Sequence, residues 1–221
     1  MEKIFSEEEL KDLSKQLSCP SGKNGLAVGK KMNKTNFSMI LATIQEIDLI
    51  NGQSVLELGP GNGAHLDIMF DQNFNLQYWG LEVSKLMKEE AEQNCKHLLS
   101  DTRANFSLYD GLKLPFDEDT FDVIFTVNTL YFWKKPIQLL NDIHRVLKKG
   151  GTCYITFVQK KVMKDLPFAK KEFRMYDNND IKELVRHSPF HLVDIINKTE
   201  EVKSKIGETI KRDYAIVCLV G

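Results

Sequence analysis

The chain has 221 residues, 42% of them hydrophobic, enough for one well-buried core and too few for two full domains. Lys and Arg total 30 against 31 Asp and Glu, a formal net charge of -1, so neither a polyanion nor an anionic membrane surface is the expected partner and no nucleic acid is implied. Cys19, Cys95, Cys153 and Cys218 are far apart, with no C-x-x-C pair, and read as reduced, mostly buried thiols; no metal site is expected.

The first nine residues are acidic and lack an apolar leader, and no segment reaches the ~20 apolar residues of a membrane span. A cytoplasmic, soluble protein without membrane insertion is expected. Ser6 and Glu9 form a capping box that starts a helix running to about Gln16. Residues 18 to 36 mix Gly22, Gly25 and Gly29 with Pro20 and polar side chains, which reads as a loop. Helical spacing of Ile40, Leu41, Ile44 and Ile47 follows, up to the stop Asn51-Gly52.

Strand and helix patterns then alternate. Strand 54 to 58 leads to helix 62 to 71, strand 76 to 82 to helix 84 to 98 capped by Ser84, and then comes strand 104 to 108. Strand 121 to 127 leads to a helix from Pro136 to Leu147, closed by Lys148-Lys149-Gly150-Gly151, and to strand 152 to 158. Such alternation predicts an α/β fold, a mostly parallel sheet with helices on both faces. The basic, aromatic stretch 159 to 176 and a helix from Asn178 to His187 precede two strands, 190 to 197 and 213 to 220. Only the polar stretch Lys198 to Lys211 separates them, so they are expected to pair antiparallel. The organisation expected is an N-terminal helix and cover over residues 1 to 36, then a core over 37 to 221 with a lid-like insertion at 159 to 176.

Gly59, Gly61 and Gly63 fall where the first strand turns into its helix, where backbone N–H groups are free to meet a ligand. The turn also fits the dinucleotide fingerprint as Gly59-x-Gly61-x-x-Ala64. Glu57, two residues before the first glycine, puts a carboxylate at the end of an apolar strand and suits a cation better than a pyrophosphate. Glu82 ends the second strand, where a carboxylate accepts from ribose hydroxyls; Asp110-Gly111 follows the third, with Leu114-Pro115-Phe116 offering an apolar face.

Val55-Leu56-Glu57-Leu58-Gly59-Pro60-Gly61-Asn62-Gly63, Gly80-Leu81-Glu82-Val83-Ser84, Asp110 to Phe116, Phe121 to Ile124 and Arg145 to Gly151 together resemble the class I S-adenosylmethionine-dependent methyltransferases. Within that class they look most like the small-molecule type related to ubiquinone and menaquinone biosynthesis enzymes. The resemblance implies a Rossmann-like, seven-stranded sheet with the last strand antiparallel, and S-adenosylmethionine as cofactor. It also implies that Glu57 and Gly59, Gly61 and Gly63 face the methionine part, Glu82 the ribose, and Asp110 with Gly111 the adenine. Asp110-Gly111 departs from the commoner Gly-Asp-Ala type of sequence.

The resemblance further places Asn128 to Trp133 at the reaction centre, with Asn128 among the cofactor-binding residues. Tyr131 is the candidate for positioning the acceptor, while Phe132 and Trp133 fit either site or core. The segment lacks the Asn/Asp-Pro-Pro-aromatic motif of nucleic-acid amino methyltransferases and the paired glutamates of arginine methyltransferases. No general base stands out, and His65 alone among the histidines lies near the glycine turn. The expected activity is methyl transfer to a small-molecule acceptor, driven mainly by alignment. An NAD-dependent oxidoreductase built on the same turn and a non-catalytic cofactor-binding module stay open as alternatives.

Overall fold

The computed structural model describes residues 6 to 72, 75 to 169, 173 to 203 and 209 to 221. Seven strands form one sheet: β1 (Ser54–Leu58), β2 (Gln77–Glu82), β3 (Ala104–Leu108), β4 (Phe121–Val127), β5 (Leu147–Val158), β6 (His191–Lys203) and β7 (Thr209–Val220). Their order is β3-β2-β1-β4-β5-β7-β6; β1 to β5 pair in parallel and β7 runs antiparallel to both its neighbours. This is the predicted α/β architecture with its reversed last strand. Strand order reverses between β1 and β4, and the crevice at the carboxyl ends of those two strands is where open α/β sheets take ligands.

The helices are α1 (Glu7–Ser18), α2 (Gly22–Glu46), α3 (Leu66–Gln72), α4 (Lys85–Asn94), α5 (Lys96–Ser100), α6 (Pro136–Val146), α7 (Lys160–Met163) and α8 (Asn178–Arg186). Both halves of the Ser6/Glu9 capping box form, and the Ser84 hydroxyl caps α4 by accepting from the Met87 N–H. Asp122 is structural: Oδ2 accepts from the Ser54 N–H, the Ser54 hydroxyl and Lys148 Nζ, which ties together the starts of β1, β4 and β5. No described helix is long and apolar enough to cross a membrane.

Several boundaries differ from expectation: β5 starts at Leu147, so the expected stop Lys148 to Gly151 lies inside a strand, and the helix expected over 84 to 98 is split into α4 and α5. Residues 62 to 65 stay in the glycine turn, and α3 begins only at Leu66. The polar stretch after Lys198 does not form a loop from its start: β6 runs on to Lys203 and β7 begins at Thr209. Along this extension polar side chains pair across the strands, as in Arg212 with Glu200 and Thr199 with Asp213, so solvation of one face does not end the ladder.

The largest difference lies at residues 18 to 36. From Gly22 they belong to α2, a continuous helix of 25 residues, so a boundary at residue 36 falls inside an element. Its glycines serve close packing, not bending. A Cβ on Gly25 would stand 2.8 Å from the Pro20 carbonyl carbon, and one on Gly29 would stand 2.6 Å from Met87 Sδ. Three contacts hold α2 to the sheet: Thr43 Oγ1 to Thr156 Oγ1 at 2.7 Å, Arg212 to the Thr35 carbonyl at 2.7 Å, and Lys198 to Glu46 at 2.7 Å.

Tertiary contact here overrides the low helix propensity of glycine, about 1 kcal/mol per residue relative to Ala. Gly25→Ala meets fixed backbone and is expected to destabilise the chain by about 1–3 kcal/mol in urea unfolding. Gly29→Ala meets the mobile end of Met87 and is expected to be much milder, because the helix gains what the methionine loses.

Candidate active site

A cavity of about 340 Å³ opens at the carboxyl ends of β1, β2 and β4. Its wall includes Glu57, Gly59, Gly61, Glu82, Asp110, Gly111 and Asn128, drawn from the loops after four different strands. Gly63 is not part of this wall. With φ +68° it turns inward, and a Cβ there would stand 3.0 Å from Cys95 Sγ, so its smallness serves the seating of the turn on α4. Gly59 (φ +76°) faces Thr129, whose Cγ2 would lie 2.5 Å from an added Cβ; Gly61 (φ +60°) has open space instead. Left-handed backbone at both positions lets the chain turn beneath the cavity without side chains filling it.

Glu57 is only 1% exposed. Its Oε2 accepts from the Tyr78 hydroxyl at 2.6 Å and lies 2.8 Å from Nε2 of His65, which is itself fully buried. His65 Nδ1 has no partner among the described residues. Glu57 pairs in register with Gly80, and Tyr78, two residues earlier, shares that face of β2. Neither His65 nor Tyr78 was legible as a site residue, since nothing in the spacing fixes this register.

Glu82, 5% exposed, accepts at Oε1 from the N–H groups of Val83 and Ser84 and at Oε2 from Gly61. Burial raises its carboxyl above the ordinary value, with the Ser84, Val83 and Gly61 N–H groups pulling the other way. No described Lys or Arg forms an ion pair with either glutamate; the one ionisable partner is His65, beside Glu57. Asp110 is exposed and uses Oδ1 to accept from the N–H groups of Leu112 and Lys113. Tyr109 and Lys134 also line this part of the cavity.

The loop after β4 is tied to β1 through a hydroxyl chain. Thr126 donates to the Leu58 carbonyl, Thr126 and Thr129 share a hydrogen bond, and Trp133 Nε1 donates to Thr129. Trp133 is buried and lines the cavity; half-buried Phe132 borders it too. Asn128 sits at φ +60° with its side chain at the cavity.

The Tyr131 hydroxyl donates to Asn128 Oδ1 at 2.8 Å and accepts from the Val158 N–H at 2.5 Å; the residue is absent from the wall of the large cavity and borders a smaller one beside it. Burial pushes its hydroxyl up and away from ionisation. Tyr131 therefore holds Asn128 and the end of β5 in place.

From the N-terminal side, Leu17, Cys19, Pro20, Asn33 and Asn36 border the cavity. The Pro20 carbonyl accepts from the Ser84 hydroxyl at 2.5 Å, which fixes this segment over the end of β2.

The family model described as Methyltransferase domain matches residues 56–155. Phosphoethanolamine N-methyltransferase 2 of Caenorhabditis elegans is 27% identical over 154 residues, 69% of this chain and 33% of that protein. The uncharacterized methyltransferase YdaC of Bacillus subtilis is 24% identical over 191 residues, 85% of this chain and 98% of the relative. Among solved structures, the complex of the Haloferax volcanii Trm112 methyltransferase activator with a methyltransferase contains a chain that superposes with a TM-score of 0.72, at 16% identity and 99% coverage of both. The chain spans between about a fifth and a third of the length of the nematode protein and two further curated relatives.

Sheet order and the glycine turn define a Rossmann-like domain with its cavity at the carboxyl ends of the strands. The fold is that of the methyltransferase structures it superposes on, and residues 56–155 are similar to the methyltransferase domain, which supports S-adenosylmethionine as the cofactor. The site fits that group, because two dry carboxylates without a cation answer to an ammonium and a diol, and the open space above Gly61 admits close approach.

Glu82→Ala is expected to weaken S-adenosylhomocysteine binding by about 1.5–3 kcal/mol in calorimetry. Because the folded carboxyl holds its proton above the ordinary value of 4.5, cofactor affinity that needs ionised Glu82 falls as pH drops through that interval. The same group's contribution to the stability of the ligand-free fold is lost as pH rises through it. A pH titration of affinity that is flat there in the native chain contradicts the assignment. Tyr131→Phe leaves the buried Val158 N–H without its acceptor and is expected to cost about 1–3 kcal/mol of stability by thermal unfolding.

Proposed function

We propose that the chain transfers the methyl group of S-adenosylmethionine to a small-molecule acceptor. The observation that carries this reading is the pair of buried carboxylates, Glu57 and Glu82, in a cavity formed where strand order reverses. Bound there, the cofactor supplies a methyl group on a positively charged sulfur, already activated for displacement.

Each residue then has a task. Glu57, held by His65 and Tyr78 through one oxygen, offers the other to the ammonium; Glu82 takes the ribose hydroxyls, and Asp110 with Gly111 borders the adenine. Asn128, steadied by Tyr131, sits where donor and acceptor meet. Alignment contributes up to about 7–11 kcal/mol in favourable cases, so the chain needs no base of its own. The phosphoethanolamine in the nematode relative's name is not carried over, because the acceptor side of this cavity is apolar and holds no carboxylate for an amine.

Residues 17 to 36 act in this reading as the cover of the site, with the segment after β5 as a second wall. The contacts of Leu17, Cys19, Asn33 and Asn36 with the cavity support it. Four free cysteines fit a reducing, cytoplasmic setting.

The test uses Cys19, an exposed thiol at the cavity wall. S-adenosylhomocysteine is expected to bind and to slow alkylation of Cys19 at least about tenfold, while NAD neither binds nor protects. Protection by NAD would return the oxidoreductase reading; binding without protection would remove the cover.

A further inference from the structure

Beside the cofactor cavity lies a second one of about 70 Å³. Leu17, Met32, Asn36, Asn128 and Phe132 line both, so the two meet beside the loop that follows β4. At about 10–15 Å³ for each water-sized group, the smaller cavity holds about five to seven such groups, the size of one substituted ring.

Its remaining wall is largely apolar, with Val162, Met163, Leu166, Phe168 and Phe173 from the segment after β5. The rings of Phe132 and Phe173 meet edge to face with centroids 4.8 Å apart. Neither Asp, Glu nor His is among its described lining residues. The charges present are positive, Lys203 and Arg212, both from the β6–β7 hairpin. Arg212 is held by Glu200 and the Thr35 carbonyl, whereas Lys203 is an exposed lysine at the edge of the wall.

An ammonium placed here would lose its water against phenylalanine, face like charge and find no carboxylate. It would also find no base to remove its proton before attack. An anion of the same size meets compatible charge, and the potential favours the ionised form of a weak acid.

We propose that the acceptor is a small, apolar weak acid, an aromatic hydroxyl or thiol, bound in this second cavity as its anion. The proposal rests on the methyl-transfer reading above. The acceptor's proton leaves to solvent on binding. A lone pair of the oxygen or sulfur anion forms the bond to the methyl carbon, the carbon–sulfur bond of the donor breaks, and its electron pair stays on sulfur as a neutral thioether. No oxidant, reductant or protein base enters the balance.

The probe is p-nitrophenol, whose visible absorption reports ionisation, titrated against the full chain saturated with S-adenosylhomocysteine. It is expected to bind as the phenolate, so that its colour develops at lower pH than in free solution, and benzylamine of similar size is expected to bind at least about tenfold more weakly. Leu166→Trp and Val162→Phe, which fill only the second cavity, are each expected to abolish probe binding and to leave S-adenosylhomocysteine affinity unchanged. Lys203→Glu is expected to remove the downward shift in the probe's ionisation. Tighter binding of benzylamine, binding of the neutral phenol, or probe binding that survives both filling variants overturns the proposal. Failure of S-adenosylhomocysteine to bind the unaltered chain is scored separately, because it overturns the methyl-transfer reading itself.

Discussion

A carboxylate kept almost free of water at the end of a central strand is the constraint around which the site is arranged. A buried, ionised glutamate costs several kcal/mol unless hydrogen bonds and charge answer it. The fold answers Glu57 with a tyrosine from the neighbouring strand and a histidine from the turn beyond the glycines. Each answer demands something further: parallel pairing in one register for Tyr78, and for His65 a chain that doubles back, as left-handed glycines allow. The two groups occupy one oxygen, and the residue borders the cavity. Glu82 repeats the arrangement with backbone donors instead of side chains.

The walls above this floor come from elements remote from it in sequence. Helix α2 lies close to α4 and to the Pro20 turn because its glycines let it, and the same helix borders both cavities. The loop after β4 is drawn to β1 by three linked hydroxyl and indole bonds, and Tyr131 secures Asn128 beneath it. The floor of the larger cavity is polar, while the smaller cavity beside it is lined mainly by aromatic and aliphatic side chains.

The sheet, the cap at Ser84, the glycine turn and both strand-end glutamates were legible because each rests on local pattern: apolar runs, capping residues and turn residues at fixed offsets. Helix α2 was not, since Gly25 and Gly29 read as breakers until Pro20 and Met87 are seen against them. The β6–β7 extension was hidden by polar side chains that pair across strands. The partners of the Tyr131 hydroxyl, Asn128 and the Val158 N–H, were not legible, because they come together only in the folded chain. His65 and Tyr78 were missed because their meeting at Glu57 depends on strand register and on the path of the turn, which one sequence does not reveal.

The bond from Arg212 to the Thr35 carbonyl joins residues 177 positions apart. Helix α2 is thereby clasped by β7, a strand made long after it, and that strand slots between two others instead of adding at an edge. Contacts of such separation form late and slow folding. During synthesis, then, the strands that carry the glycine turn and both glutamates emerge before β7 does. The growing chain has the floor of its pocket before α2 is fastened, and the apolar side chains under that helix stay open to water and to chaperones in the interval.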